Sequence, residues 1–297
     1  MKENILEKKI KAGDFITTAE YLPRSATEIS IIDIFKKGGP MAINVADNPY
    51  GAVMSSLSAS TLLLKEGIEP VYQVVTRDRN RIALQSDILG AASLGIKNIL
   101  CLSGYHQSLS KTPESSSVYD IDSIQLIEIV NRMNNEKILM DGSKIEGDFS
   151  MFIGAVANPY LRPLELNIMR LRKKVEAGAK FIQTQAVFGT TAFTEWLEAA
   201  NKEGLSEKAA IIAGIYPLSS YEEALELTNK HTDFIIPSPQ IERLKDAGDA
   251  DKQKEMGINL CVETIGKIKN LKGLKGIHII SGGKEDMIQT IISKAGL

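Results

Sequence analysis

Short runs of apolar and β-branched residues alternate with longer amphipathic stretches along the whole chain, and this alternation constrains the fold more than any other feature. Repeated βα units of this kind bury a parallel sheet under helices, because parallel neighbours need a long crossover connection. The strand candidates are Phe15 to Tyr21, Met41 to Ala46, Val71 to Thr76, Asn98 to Leu102, Met151 to Ala157, Phe181 to Ala186, Ala210 to Ile215 and Gly276 to Ile280. Helical patterns run between them at Ile82 to Leu94, Ser123 to Met133, Leu164 to Ala177, Phe193 to Asn201 and Tyr221 to Asn229. Gly95, Gly178 and Gly204 stand where a left-handed residue ends a helix. Eight βα units in 297 residues predict an α/β fold, a (β/α)8 TIM barrel, in preference to an open doubly wound sheet. A single domain over 1–297 is expected, since no Ser- or Pro-rich linker divides the chain. The seventh unit is stretched. Pro237 to Leu271 adds helical pattern (Gln240 to Asp246, then Lys252 to Lys269) before the last strand.

Composition narrows the partners. Lys+Arg of 35 against Asp+Glu of 37 gives a net charge of -2, so no global basic field exists to hold nucleic acid or an anionic membrane. The start, Met1 to Asp14, is rich in Lys and Glu without an apolar run, and no later run approaches membrane-span length, so a cytoplasmic protein is expected. Cys101 and Cys261 lie far apart in apolar stretches and read as buried thiols in a reducing compartment. Two cysteines do not supply an all-cysteine iron–sulfur or zinc site, and His106, His231 and His278 lack metal-ligand spacing, so no catalytic metal is expected.

In a barrel the loops after the strands build the active face, so polar residues at strand C-termini carry the chemistry. Glu20 ends the first strand among apolar neighbours that would desolvate its carboxyl and raise its pKa, as a general acid requires. Pairing with Arg77 is the competing reading. Strand four ends in Ser103-Gly104-Tyr105-His106, where Gly104 permits close approach to a ligand; a plain turn with a surface His106 is the alternative. The polar stretch Gln107 to Ser117 follows and would overhang the mouth. Gln183 and Gln185 share one face of strand six, suited either to the edge of a heterocycle or to an internal amide network. Lys173 and Lys174 face an anion or complement a helix end, and Asp78 either caps the next helix or belongs to a phosphate-binding segment. Gly282-Gly283 after strand eight fits a small anion-binding turn. No P-loop or GxGxxG appears, and no strand-end lysine marks an aldolase.

These positions resemble the methylenetetrahydrofolate reductase family over nearly the whole chain. The resemblance rests on Thr18-Ala19-Glu20, on Asn44-Val45-Ala46-Asp47-Asn48, on Arg77 through Asp87, and on Gly154-Ala155-Val156-Ala157-Asn158-Pro159. It continues in Lys174-Val175-Glu176-Ala177-Gly178-Ala179, Gln183-Thr184-Gln185 and Gly276-Ile277-His278-Ile279. It implies FAD-dependent reduction of 5,10-methylenetetrahydrofolate to 5-methyltetrahydrofolate in one-carbon metabolism. Glu20 matches the family's general acid, which protonates folate N10 as the methylene bridge opens to a 5-iminium ion, and reduced FAD then delivers the hydride. Gln185 matches a folate-contacting glutamine and Tyr221 falls near the aromatic that flanks the folate. Flavin contacts fall on Gln73, Ser103, Gly104, Tyr119, Ala157, Asn158 and Lys174.

The chain is most similar to the short anaerobe-type member, which implies a homo- or hetero-oligomer taking electrons from NAD(P)H or an iron–sulfur partner protein. One departure bears on catalysis. Tyr105 stands where the family usually has an Asp beside flavin and pterin, and a neutral phenol does not supply that charge. It implies either weakened folate reduction or an altered donor or substrate, with a folate- or flavin-binding subunit of a methyl-transfer or electron-transfer complex as the alternative function.

Overall fold

The computed structural model describes residues 4–36, 39–230 and 234–297; the expected helix-end His231 lies outside them. Eight parallel strands close a barrel in chain order. They are β1 (Ile16–Tyr21), β2 (Ala42–Val45), β3 (Pro70–Val75), β4 (Asn98–Leu102), β5 (Phe152–Ala157), β6 (Phe181–Ala186), β7 (Ala210–Ile215) and β8 (Leu274–Ile279). Thr18 beside His278 joins β1 to β8, and Glu20 beside Asn44 joins β1 to β2, which seals the ring. The expected strands are all present, with β8 starting at Leu274 rather than Gly276.

The helices follow the apolar periodicity. Leu164–Ala177 has the expected bounds and buries Ile168, Leu171 and Val175 against the strands. Arg81–Ser93 starts one residue earlier than its pattern. Its N-cap is Asn80, whose side chain accepts from Ile82 N and Ala83 N. Asp78, the expected cap candidate, pairs instead with Arg77. Ser238–Asp246 and Ala250–Ile268 supply the extra helices before β8 and enclose a satellite core around Phe188, Phe234 and Leu244.

The Lys- and Glu-rich start does more than the sequence reading assigned to it. Asn4 caps a helix, Ile5–Ala12, through a bond from Glu7 N. Glu69, just before β3, accepts from Ile5 N at 2.7 Å and Leu6 N at 2.8 Å, so a carboxylate satisfies two orphan amides at the positive helix end. Leu6 is thereby lowered into the barrel floor with Ile16, Val71, Leu100, Phe152, Phe181 and Ile212. This end of the barrel is filled. The opposite end, at the strand C-termini, stays open.

Candidate functional site

A cavity of about 310 Å³ occupies the open end of the barrel. Its wall includes Glu20, Gln73, Ser103, Gly104, Tyr105, Lys174 and Gln185, residues that sequence reasoning selected from four strands or the turns after them and from one helix. Four other candidates lie outside that lining. Tyr119 stands behind the β4 turn, its hydroxyl donating to the Tyr105 carbonyl at 3.0 Å. Ala157 ends β5, and the Asn158 side chain accepts from Tyr160 N at 2.9 Å. Tyr221 opens the helix Tyr221–Lys230, where its backbone N–H meets Gln253 Oε1 and the Lys245 ammonium lies 5.7 Å from its ring centroid.

Below the mouth is a buried polar layer. Strand periodicity carries Thr18 and Glu20, and Gln183 and Gln185, on common faces of β1 and β6. Asn44 Nδ2 donates to Gln183 Oε1 at 2.6 Å, and Gln183 Nε2 donates to Asn44 Oδ1 at 3.1 Å and Thr18 Oγ1 at 3.2 Å. His278 Nδ1 pairs with Thr18 Oγ1 at 2.9 Å, and burial holds its imidazole neutral with a pKa of about 3. Gln183 therefore belongs to an internal amide network. Gln185, two residues higher, reaches the cavity, where its Nε2 lies 3.5 Å from the Tyr105 hydroxyl.

Glu20 does not pair with Arg77. That guanidinium is taken by Asp78 at 2.7 and 2.8 Å and by the Asn48 carbonyl at 2.7 Å. Glu20 Oε2 accepts instead from Gly282 N at 3.3 Å. In the Gly282-Gly283 turn only Gly282 N meets an acidic group, the chain's own Glu20 carboxyl, while Gly283 N donates to Ser281 Oγ. Gly282 has φ +56°, and a Cβ there would stand 2.6 Å from the Tyr216 hydroxyl, so only glycine fits. Removal from water raises the Glu20 pKa to about 7; the Gly282 bond opposes the rise, Glu285 adds to it and Lys284 opposes it.

Strand β5 lies across the ring from β1, and the helix after it presents Arg170 and Lys174 to the cavity. Lys174 donates to the Val156 carbonyl at 2.6 Å, and burial, then the charge of Arg170, lowers its pKa to about 8. Among the described residues neither cation forms an ion pair with a carboxylate, while Lys173 is exposed. Lys174, largely removed from water, and the more exposed Arg170 beside it suit a phosphate. Gly104, at φ +86°, keeps the β4 turn open where a Cβ would stand 3.2 Å from Arg77 Cβ. Ser103 and Gln73 add polar groups to the same wall.

The loop after β4 is tied to its neighbours by Lys111 N donating to Tyr50 O at 2.8 Å and Val118 N donating to Arg77 O at 2.7 Å. Within it His106 is exposed and its side chain accepts from Ser108 N, the plain-turn arrangement. Sequence reading missed Tyr216, Arg170 and Lys284 near this cavity. Tyr216 follows β7 directly, an aromatic at a strand end, and Lys284 directly follows the glycine pair. Cys101 and Cys261 are both buried free thiols, their ionisation pushed up by burial. Among the described residues no group of three His, Cys, Asp or Glu is placed to hold a metal, and no helix is long and apolar enough to cross a membrane.

Comparison with known proteins joins these observations. The profile of the methylenetetrahydrofolate reductase family matches residues 5–296. The 5,10-methylenetetrahydrofolate reductase of Escherichia coli is 24% identical over 300 residues, covering 96% of this chain and 92% of that protein. A probable methylenetetrahydrofolate reductase (NADPH) of Caenorhabditis elegans is 22% identical over 248 residues, and the aligned part spans 34% of its length. Among solved structures, a Clostridium thermocellum protein described as binding two copies of 5-methyl-5,6,7,8-tetrahydrofolic acid superposes with a TM-score of 0.65. At 15% identity, covering 98% of both chains, that likeness speaks for the fold.

Proposed function

The chain belongs to the methylenetetrahydrofolate reductase family, and we propose that it reduces 5,10-methylenetetrahydrofolate to 5-methyltetrahydrofolate with FAD as its cofactor. The observation that carries this reading is Glu20, a carboxyl whose pKa of about 7 lets it hold a proton at neutral pH inside the cavity. Opening the methylene bridge leaves an amine nitrogen, folate N10, that must be protonated as its bond to carbon breaks. Glu20 donates that proton. Gln185, with a donor and an acceptor on one amide, orients the pterin edge. The polar layer beneath fixes both side chains, because Thr18 and Gln183 are locked two residues below them.

The cavity residues fit a flavin nucleotide. Lys174 and Arg170 would hold phosphate oxygens, Gly104 would admit the ring system close to backbone, and Gln73 and Ser103 would meet its polar edge. Tyr119 acts from behind, holding the β4 turn through the Tyr105 carbonyl. FAD supplies the hydride when bound, while the protein stacks and orients the two rings. Electrons enter from NAD(P)H or from an iron–sulfur partner protein. In the test, Glu20→Gln lowers folate turnover by about 10²–10⁴-fold while flavin is retained. Unchanged turnover with retained flavin would remove Glu20 from the role.

A second reading rests on Tyr105. Its phenol lines the cavity beside Gln185 where the family usually places a carboxylate, which favours a folate- and flavin-binding subunit with weakened hydride transfer. Tyr105→Asp then raises turnover, and no gain counts against this reading.

A further inference from the structure

Lys284, Glu223 and Tyr216 are absent from the chemistry above, yet they form a closely bonded polar cluster near Glu20. Lys284 Nζ donates to Glu223 Oε1 at 2.5 Å and to Tyr216 Oη at 3.0 Å, and lies 4.2 Å from the Tyr216 ring centroid. Tyr216 Oη donates to Glu223 Oε1 at 2.7 Å, and Glu223 Oε2 accepts from Ser219 N and Oγ. The Lys284 and Glu223 side chains are only 15% and 20% exposed, so solvent screens them weakly.

The next residue anchors the same loop on its other side. Glu285 is 2% exposed and accepts from Leu22 N at 3.1 Å, two residues beyond Glu20. Between the two anchors, Gly282 N meets Glu20 Oε2. One five-residue loop, Ser281 to Glu285, thus gives the acid a hydrogen bond and brings one charge of each sign near it.

We infer that this loop is a positioning device for Glu20, in which Lys284, tethered by Tyr216 after β7 and by Glu223 on the following helix, and Glu285, tethered by Leu22 after β1, set opposing fields at the Glu20 carboxyl. The inference rests on the reading of Glu20 as the acid, and it assigns Lys284 and Glu285 as positioning residues. Their signs follow from Coulomb's law: the ammonium favours the carboxylate, and the second carboxylate favours the neutral acid.

Each change also frees one ion-pair partner, Glu223 from Lys284 and Arg24 from Glu285 at 3.8 Å, and each freed charge moves the Glu20 carboxyl in the same sense as the substitution itself; the remaining groups around the cavity are unchanged. From β1 comes Tyr21; from the β2 and β3 ends come Tyr50, Asp47 paired with Arg79, and Arg77 paired with Asp78. Tyr105 faces in from β4, Arg170 and Lys174 from the helix after β5, neutral Tyr216 from β7 and neutral His278 from β8.

The test follows the carboxyl itself. In infrared pH titration of the full chain, the protonated-carboxyl band missing from Glu20→Gln belongs to Glu20. Lys284→Met moves the midpoint of that band to higher pH, Glu285→Gln moves it to lower pH, and the charge-keeping Lys284→Arg leaves it near the wild-type value. Opposite displacements with the arginine variant unmoved support the inference. Displacement of both variants in one direction, of Lys284→Arg together with Lys284→Met, or of neither, overturns it. Circular dichroism and flavin retention verify that each variant is folded, and Glu223→Gln, which leaves Lys284 charged but untied and moves the midpoint down, gives a second measurement should Glu285→Gln unfold. Because no turnover is needed, loss of the acid role in a Glu20→Gln assay is seen separately.

Discussion

The lower and upper halves of the barrel interior are built from the same eight strands and hold themselves together by different means. The floor is apolar, with Phe152 and Phe181 stacked at 5.4 Å between centroids and Leu6 entering from the N-terminal helix. The layer above is polar and equally buried: Thr18, Asn44, Gln183 and His278 are each under 5% exposed. Packing holds the floor. Hydrogen bonds hold the layer above it, and their directionality is what orients Glu20 and Gln185 at the mouth. The contrast separates the part of the barrel that supplies stability from the part that supplies geometry.

Substitutions in the two halves sharpen that contrast. Phe181→Ala empties the floor and lowers unfolding free energy by about 3–5 kcal/mol in denaturant titration, whereas a cost under 1 kcal/mol would show that the floor does not carry the packing. Gln183→Leu leaves the Asn44 amide without its partner and Thr18 with His278 alone in the layer above, and costs about 1–3 kcal/mol. Its larger effect falls on folate turnover, and equal losses of stability and of turnover in the two variants would erase the distinction.

Acid separates the halves further. His278 has a folded pKa of about 3 against an ordinary 6.5, so the unfolded chain binds the extra proton between those values. Its stabilising contribution is complete above pH 6.5 and is lost as pH falls toward 3. His278→Asn flattens that limb of the Tm–pH curve, and an unchanged limb would show that the imidazole is not neutral in the fold.

The smallest effect has the opposite sign. Glu20 has a folded pKa raised from 4.5 to about 7, so the folded chain holds the extra proton and stability falls as pH rises through that window. Glu20→Gln removes this penalty, which gives a modest gain in Tm at pH 8 and none at pH 4. A gain of the same size at both values would trace it to packing instead.

The two halves also differ in how far they were legible in the sequence. Strands and helices were readable because burial on both faces of a parallel strand leaves continuous apolar runs, and the helix Leu164–Ala177 matches its pattern at both ends. The helix Ile5–Ala12 escaped because only Leu6 and Ile10 face inward, and their partner Glu69 lies far along the chain. In the upper half, strand-end position placed Glu20, Ser103, Gly104 and Gln185 on one cavity, and the family resemblance added Gln73. Which of two roles each side chain adopts depended on neighbours contributed by other strands. Arg77 turned to Asp78, leaving Glu20 to Gly282, and Gln183 turned to Asn44, leaving Gln185 to the mouth. Tyr216 and Lys284 were hidden for the same reason, since their meaning comes from Glu223 on a different element.

The measurement that bears most directly on the cavity's function is an anaerobic visible spectrum of the protein loaded with FAD and freed of excess, taken before and after mixing with 5-methyltetrahydrofolate. A folate-reducing site run in reverse retains the flavin and bleaches it on mixing, and Glu20→Gln slows the bleaching. Flavin that is retained and never bleaches, or that is not retained at all, contradicts the assignment of this cavity as the place where hydride passes between flavin and folate.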